Sequence, residues 1–224
     1  MKRVSISSLS VVAFMALAAH ALAADPPPRA GTDSFDSIAA IELQRGPGQP
    51  SITVDLAGRT MVRRGDPKGG TIATEMLQLD LAGAGADPQL GFFDVFVRLN
   101  PNMRSMGMIT TQKGGGFFPA DSFFDVFFEV EIRPQGQPTG MTLHNTQPAR
   151  VEATIDNIPP LEVEYSSRTG TQLFNPDGTP DGFALHIAHI PTTPSHGRIK
   201  RELIKLERKL DKLLRVHGLP PGDP

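Results

Sequence analysis

From about residue 35 to residue 192, apolar and polar positions alternate in short runs broken by Gly, Pro, Asn and Asp. The runs are SIAAIELQ, SITVDL, TMVRR, TIATEMLQLDL, FFDVFVRL, MGMITTQ, FFDVFFEVEI, MTLHN, ARVEATI, LEVEY, TQLF and GFALHIAHI. Most alternate with period two, which places every second side chain on one face of a strand. None before residue 195 sustains the period of a helix. About ten strands at this spacing predict a mainly β fold, an antiparallel β-sandwich over 35–192. NPDG at 175–178 suits a type I turn that ends in a glycine at positive φ, so TQLF and GFALHIAHI are expected to form a hairpin.

One segment is spelled twice. FFDVF occurs at 92–96 and again at 123–127. In a strand the first copy sets Phe93, Val95, Val97 and Leu99 against Phe92, Asp94, Phe96 and Arg98. The second sets Phe124, Val126, Phe128, Val130 and Ile132 against Phe123, Asp125, Phe127, Glu129 and Glu131. Each copy therefore has one apolar face and one that begins aromatic and ends charged. Asp94 and Asp125 are read as structural carboxylates that accept backbone N–H bonds from a covering loop.

After residue 195 the period changes. Ser195 stands as an N-cap and Gly218 as a C′ glycine, with Pro220 barring continuation. Between them Ile199, Leu203, Leu206, Leu210 and Leu213 follow alternating spacings of four and three, a coiled-coil seam on an amphipathic helix over 195–217. Lys and Arg gather on the opposite face. Exposed leucines do not stabilise such a helix, so the stripe is expected to dock on its own β-domain, pair with a second copy or dip into a membrane surface.

The termini carry different signals. Lys2 and Arg3 precede an apolar run, and Ala21-Leu22-Ala23 supplies small residues for cleavage, so 1–23 reads as a signal peptide. Residues 24–34 form a Pro-rich flexible leader, and 218–224 read as a disordered tail. The chain is expected to be secreted, either periplasmic or extracellular. It contains no Cys, which excludes disulfides and thiolate metal sites. The net charge of −2 conceals 20 acidic against 12 basic residues over 24–197, and 3 against 8 over 198–217. The basic helix face thus has an anionic polymer or surface, or the acidic body itself, as a possible partner. No pattern points to specific nucleic acid.

DSFFDVFFEVEI followed by TLHNTQPARVEATIDNIPP resembles an uncharacterised family of secreted bacterial β-rich proteins with paired Phe-Phe-Asp segments. The resemblance covers about 70–190. It implies a shared β-fold and export, and it brings no activity, cofactor or catalytic residue.

Candidate chemistry is sparse. Asn175, Asp177 and Asp181 alternate faintly like the start of a calcium loop, but His186 stands where the bidentate glutamate belongs. His186 and His189 are three apart, so a strand points them to opposite faces and they do not share one metal ion. No H-E-x-x-H, G-x-S-x-G, S-x-x-K or Walker loop occurs. The 13 Phe against one Tyr and no Trp suit a dry core rather than a sugar-binding face. The sequence therefore reads as a non-catalytic interaction or structural module with a docking or self-association helix and no cofactor. The alternative is an extracellular hydrolase or carbohydrate-active enzyme using Asp94, Asp125 or the histidines.

Overall fold

The alternation seen in the sequence becomes twelve strands in the computed structural model, which describes residues 26–46, 50–88, 91–112, 116–192 and the positions 203, 204, 206, 209 and 210. The expected signal segment 1–23, the expected caps Ser195 and Gly218, the expected seam residues Ile199 and Leu213 and the tail 218–224 lie outside the described residues. The strands are β1 Gly31–Arg45, β2 Ser51–Arg64, β3 Thr71–Asp87, β4 Gly91–Leu99, β5 Ser105–Thr111 and β6 Ala120–Val126. They continue with β7 Phe128–Pro134, β8 Met141–His144, β9 Ala149–Ile155, β10 Tyr165–Ser167, β11 Thr171–Phe174 and β12 Pro180–Thr192.

The mainly β, antiparallel expectation holds, but the strands form one sheet rather than two. Its order is β1-β2-β3-β4-β7-β8-β11-β12-β10-β9-β6-β5, and β1–β12 and β3–β5 also pair. Those extra pairings close the sheet on itself twice. SITVDL and TMVRR, expected as separate strands, are the two halves of β2. The inner face runs through Ile52, Val54, Leu56, Thr60 and Val62, all buried. LEVEY is mostly loop, and only Tyr165 enters a strand.

Strand length explains the double closure. β3 pairs with β5 along Thr71–Met76 and with β4 along Asp80–Asp87. β12 pairs with β11 near its start, through Leu185, and with β10 at Ala188 and His189. The long strands β1, β2, β3 and β12 thus form a continuous wall. Opposite it stand two tiers of short strands, β4-β7-β8-β11 and β5-β6-β9-β10. Between Met61 and Val62 the β2–β3 register shifts, and Leu77 is left without a register partner. Such a bulge adds the local twist that closure requires.

The second FFDVF copy crosses from one tier to the other. Phe124, Val126, Phe128, Val130 and Ile132 keep their burial across the break between β6 and β7. Side chains replace the ladder at the break. Phe127 N–H donates to Ser105 Oγ at 2.8 Å, and Phe128 N–H donates to Asn145 Oδ1 at 2.8 Å. Asn145 Nδ2 donates to the carbonyls of Val126 and Gln147, each at 2.8 Å. The tier of β4, β7, β8 and β11 is filled by Phe93, Val95, Phe128, Leu143 and Leu173, none more than 0% exposed. The other tier is filled differently, and it holds the site.

Candidate functional site

The aspartates of the repeat stand on the outer surface. Asp94 lies on β4 opposite Arg133 of β7, and Asp125 lies on β6 opposite Arg150 of β9. Asp125 does not take backbone N–H bonds from a covering loop, as the sequence suggested. It accepts two parallel bonds from Arg150, both at 2.9 Å. The pair is well exposed, and exposed pairs contribute little stability. The same guanidinium lies 3.9 Å from the Phe123 ring centroid, and Arg133 lies 4.7 Å from that of Phe96. Arginine stems and planes therefore cover the aromatic half of each outer face. Nearby, Arg104 at 2.8 Å and Arg63 hold the Glu75 carboxyl down at about 2. Charge faces outward on this barrel, and the apolar side is its interior.

Inside the tier of β5, β6, β9 and β10 lies a cavity of about 40 Å³. That is room for roughly three water molecules. Phe35, Val62, Met76, Ile109, Phe124 and Val151 give it apolar walls, and Ile158 and Pro160 cover its end. The covering loop is fixed by Glu162 N–H, which donates to the Pro191 carbonyl at 2.7 Å.

Polar groups interrupt these walls at three places. At the rim, Arg64 donates through Nε and Nη2 to Asp33 at 2.6 and 3.1 Å, and through Nη1 to the Arg29 carbonyl at 2.6 Å. Deeper, Tyr165 O–H donates to Ser122 Oγ at 2.9 Å. Burial pushes the phenol up to about 12, although the Ser122 bond opposes the shift. On the far wall Ser37 and Thr60 hydroxyls bond at 2.8 Å, and Thr60 Oγ1 lies 3.4 Å from His189 Nε2. Burial pushes His189 down to about 4, so the imidazole is neutral at pH 7. The interior is thus apolar with uncharged polar points, and its one ion pair stands at the rim.

A second interior cavity, also about 40 Å³, adjoins the first. Met76, Val151 and His189 line both. In fold, the chain is similar to one solved structure. It matches DynF from the dynemicin biosynthesis pathway of Micromonospora chersina with a TM-score of 0.59 and 20% identity, over 76% of this chain and 85% of that one. No family model and no curated protein sequence matches the chain.

An outer groove of about 470 Å³ runs across β6, β9 and β10. It is open, and its charges answer one another. Arg168 pairs with Glu152 at 2.9 Å, while Gln112 and Thr154 donate to Asp121 at 2.6 and 3.2 Å. Neither Asp94 nor Asp125 lines this groove or either cavity.

The calcium candidates form a self-contained hairpin turn. Gly178 has φ 83, as the turn reading requires, and its N–H donates to the Asn175 carbonyl at 2.9 Å. Asp177 Oδ1 accepts from the Thr179 hydroxyl and backbone N–H at 2.6 and 2.9 Å, which lowers its pKa. Among the described residues no three His, Asp or Glu side chains cluster as a metal site. His186 faces outward and His189 inward, as their spacing predicts. The sequence reading missed Arg64, Thr74, Ser122 and Tyr165, and weighed His189 as a metal ligand or a hydrolase residue. One signal was present: the single Tyr of a Phe-rich chain lies in this cavity.

Proposed function

We propose that the protein is an exported, non-catalytic binding barrel that holds a small, mostly apolar molecule in the tier of β5, β6, β9 and β10. The observation that carries this reading is an interior cavity with apolar walls, neutral polar points and an ion pair at its rim. Such a mixture is the usual make-up of a small-molecule site, and eight strands around an interior leave space for one small ligand. DynF, similar in fold, belongs by name to a biosynthesis pathway, which agrees with a role in handling small molecules. The hydrolase alternative gains nothing from Asp94 and Asp125, which stand on the outer face in different tiers.

Val151→Phe tests the reading, because Val151 lines both cavities. Protein purified from its native source is extracted with organic solvent, and the released compounds are quantified by mass spectrometry. The wild type should release an apolar compound near one per chain, and Val151→Phe far less. Equal release from both proteins, or none from the wild type, would end the proposal.

Export rests on the signal pattern of 1–23, and the mature chain should begin at or beside Ala24. The C-terminal helix completes the molecule in this reading. Leu203, Ile204, Leu206, Lys209 and Leu210 have helical backbone. Ile204 is 6% exposed, whereas Leu203, Leu206 and Leu210 are 49%, 59% and 56% exposed. In a single chain that contrast favours docking on the acidic barrel through the Ile204 side. The leucine seam then faces outward, available to a second copy.

A further inference from the structure

Thr74 is the polar residue of the cavity without an answer. It is 2% exposed and lines the cavity, and its Oγ1 has no hydrogen-bond partner among the described residues. A buried hydroxyl in that state costs stability, and valine has the same shape without the cost. Its surroundings keep the hydroxyl clear. Gly107 faces Thr74 across the β3–β5 ladder. A Cβ at Gly107 would stand 2.7 Å from Thr74 Oγ1 and 2.2 Å from the Phe123 carbonyl, so only glycine leaves this space.

The other polar groups of the cavity each already hold a partner, and Thr74 alone has none. Arg64, the cation at its rim, has its charge paired with Asp33 and also donates to the Arg29 carbonyl. Tyr165 donates to Ser122, and Thr60 shares its hydroxyl with Ser37. A carboxylate entering this space would find no free countercharge, and an unpaired charge in a dry site is strongly disfavoured. An uncharged oxygen needs only one donor, and the Thr74 hydroxyl supplies it.

We propose that the cavity selects compact apolar molecules bearing one uncharged oxygen, a ketone, ester or alcohol, and that Thr74 Oγ1 is the group that reads this oxygen. The inference rests on the binding-barrel reading and adds to it the chemical class of the ligand. The space as it stands holds roughly three waters. A ring-sized ligand therefore displaces Met76, which lines both cavities and whose unbranched side chain adapts readily.

The chain contains one Tyr and no Trp, so its intrinsic emission reports on Tyr165 and hence on the cavity. Cyclopentanone, cyclopentanol, cyclopentane and cyclopentanecarboxylate are titrated at pH 7.5 into the wild type and Thr74→Val, and saturable emission changes are fitted. The ketone and alcohol should bind at least about tenfold tighter than the carboxylate, and Thr74→Val should weaken the ketone about five- to tenfold. Thr74→Val should bind cyclopentane at least as well as the wild type and melt at an equal or higher temperature when empty. Saturable binding in which the carboxylate equals the ketone, or in which Thr74→Val leaves the ketone unaffected, overturns the selectivity while the binding barrel stands. No saturable response to any of the four, cyclopentane included, means the cavity holds only water, and both readings fall.

Discussion

His189 is buried, at 9% exposed, and among the described residues no carboxylate hydrogen-bonds its ring; Thr60 and Tyr165 are its polar neighbours, with the Asp33–Arg64 pair at the rim. Its folded-state value of about 4 lies below the ordinary histidine value of 6.5. Between these values the unfolded chain takes up a proton that the folded chain refuses. The stability contributed by the neutral ring is therefore fully present above pH 6.5, is lost as pH falls from 6.5 to 4, and changes no further below that. The loss amounts to about 3 kcal/mol. Chemical denaturation of the wild type and His189→Gln across pH 4–7 should show this slope in the first protein and not in the second. At this scale the sequence revealed burial well. Phe93, Val95, Phe124 and Val126 were expected inside and are 0%, 0%, 8% and 4% exposed. It did not reveal partners. Asp125 was assigned to a loop it does not touch, because register alone brings Arg150 opposite it.

At the scale of elements, the second FFDVF copy shows how a strand serves both tiers. Alternation continues across Phe127, and Asn145 supplies the bonds that no neighbouring strand provides at the break. Asn145 is 0% exposed, so removing its amide leaves several buried backbone groups unanswered. Asn145→Ala should lower stability by about 2–4 kcal/mol in urea unfolding, while Gln147→Ala, which keeps the backbone carbonyl, should change little. The proposed C-terminal helix gives a contrasting pair. Ile204→Asp should reduce helicity and melting temperature, because it buries a charge. Leu206→Asp with Leu210→Asp should do neither, since both side chains already meet water, but it should abolish self-association through the seam. Circular dichroism and sedimentation of both proteins check this expectation.

For the whole molecule, the two tiers are closed by seams of very different strength. β1 and β2 pair without interruption from Gly31↔Arg64 to Gln44↔Ser51. β8 and β11 meet at the single pair Phe174↔His144, and β10 meets β12 through Tyr165 and Ser166 alone. Hydrogen exchange should therefore be fastest along β8, β10 and β11 and slowest along β1 and β2, with the β10 seam the readier way into the cavity. Protection as strong at β10 as at β2 would contradict this. The sequence by itself determined most of the strands, the buried face of both FFDVF copies, the β11–β12 hairpin and the opposed histidines. All of these follow from period-two alternation and turn chemistry within a few residues. It did not determine the LEVEY loop or the start of β1 at Gly31, inside the expected flexible leader. Tertiary structure alone decided that two expected sheets are one sheet closed twice, because closure depends on register between strands far apart in the chain. It also decided the cavity. Asp33, Thr60, Thr74, Ser122, Tyr165 and His189 come from six strands and form no motif. Only when the barrel closes does burial neutralise the imidazole, raise the phenol and leave one hydroxyl unanswered.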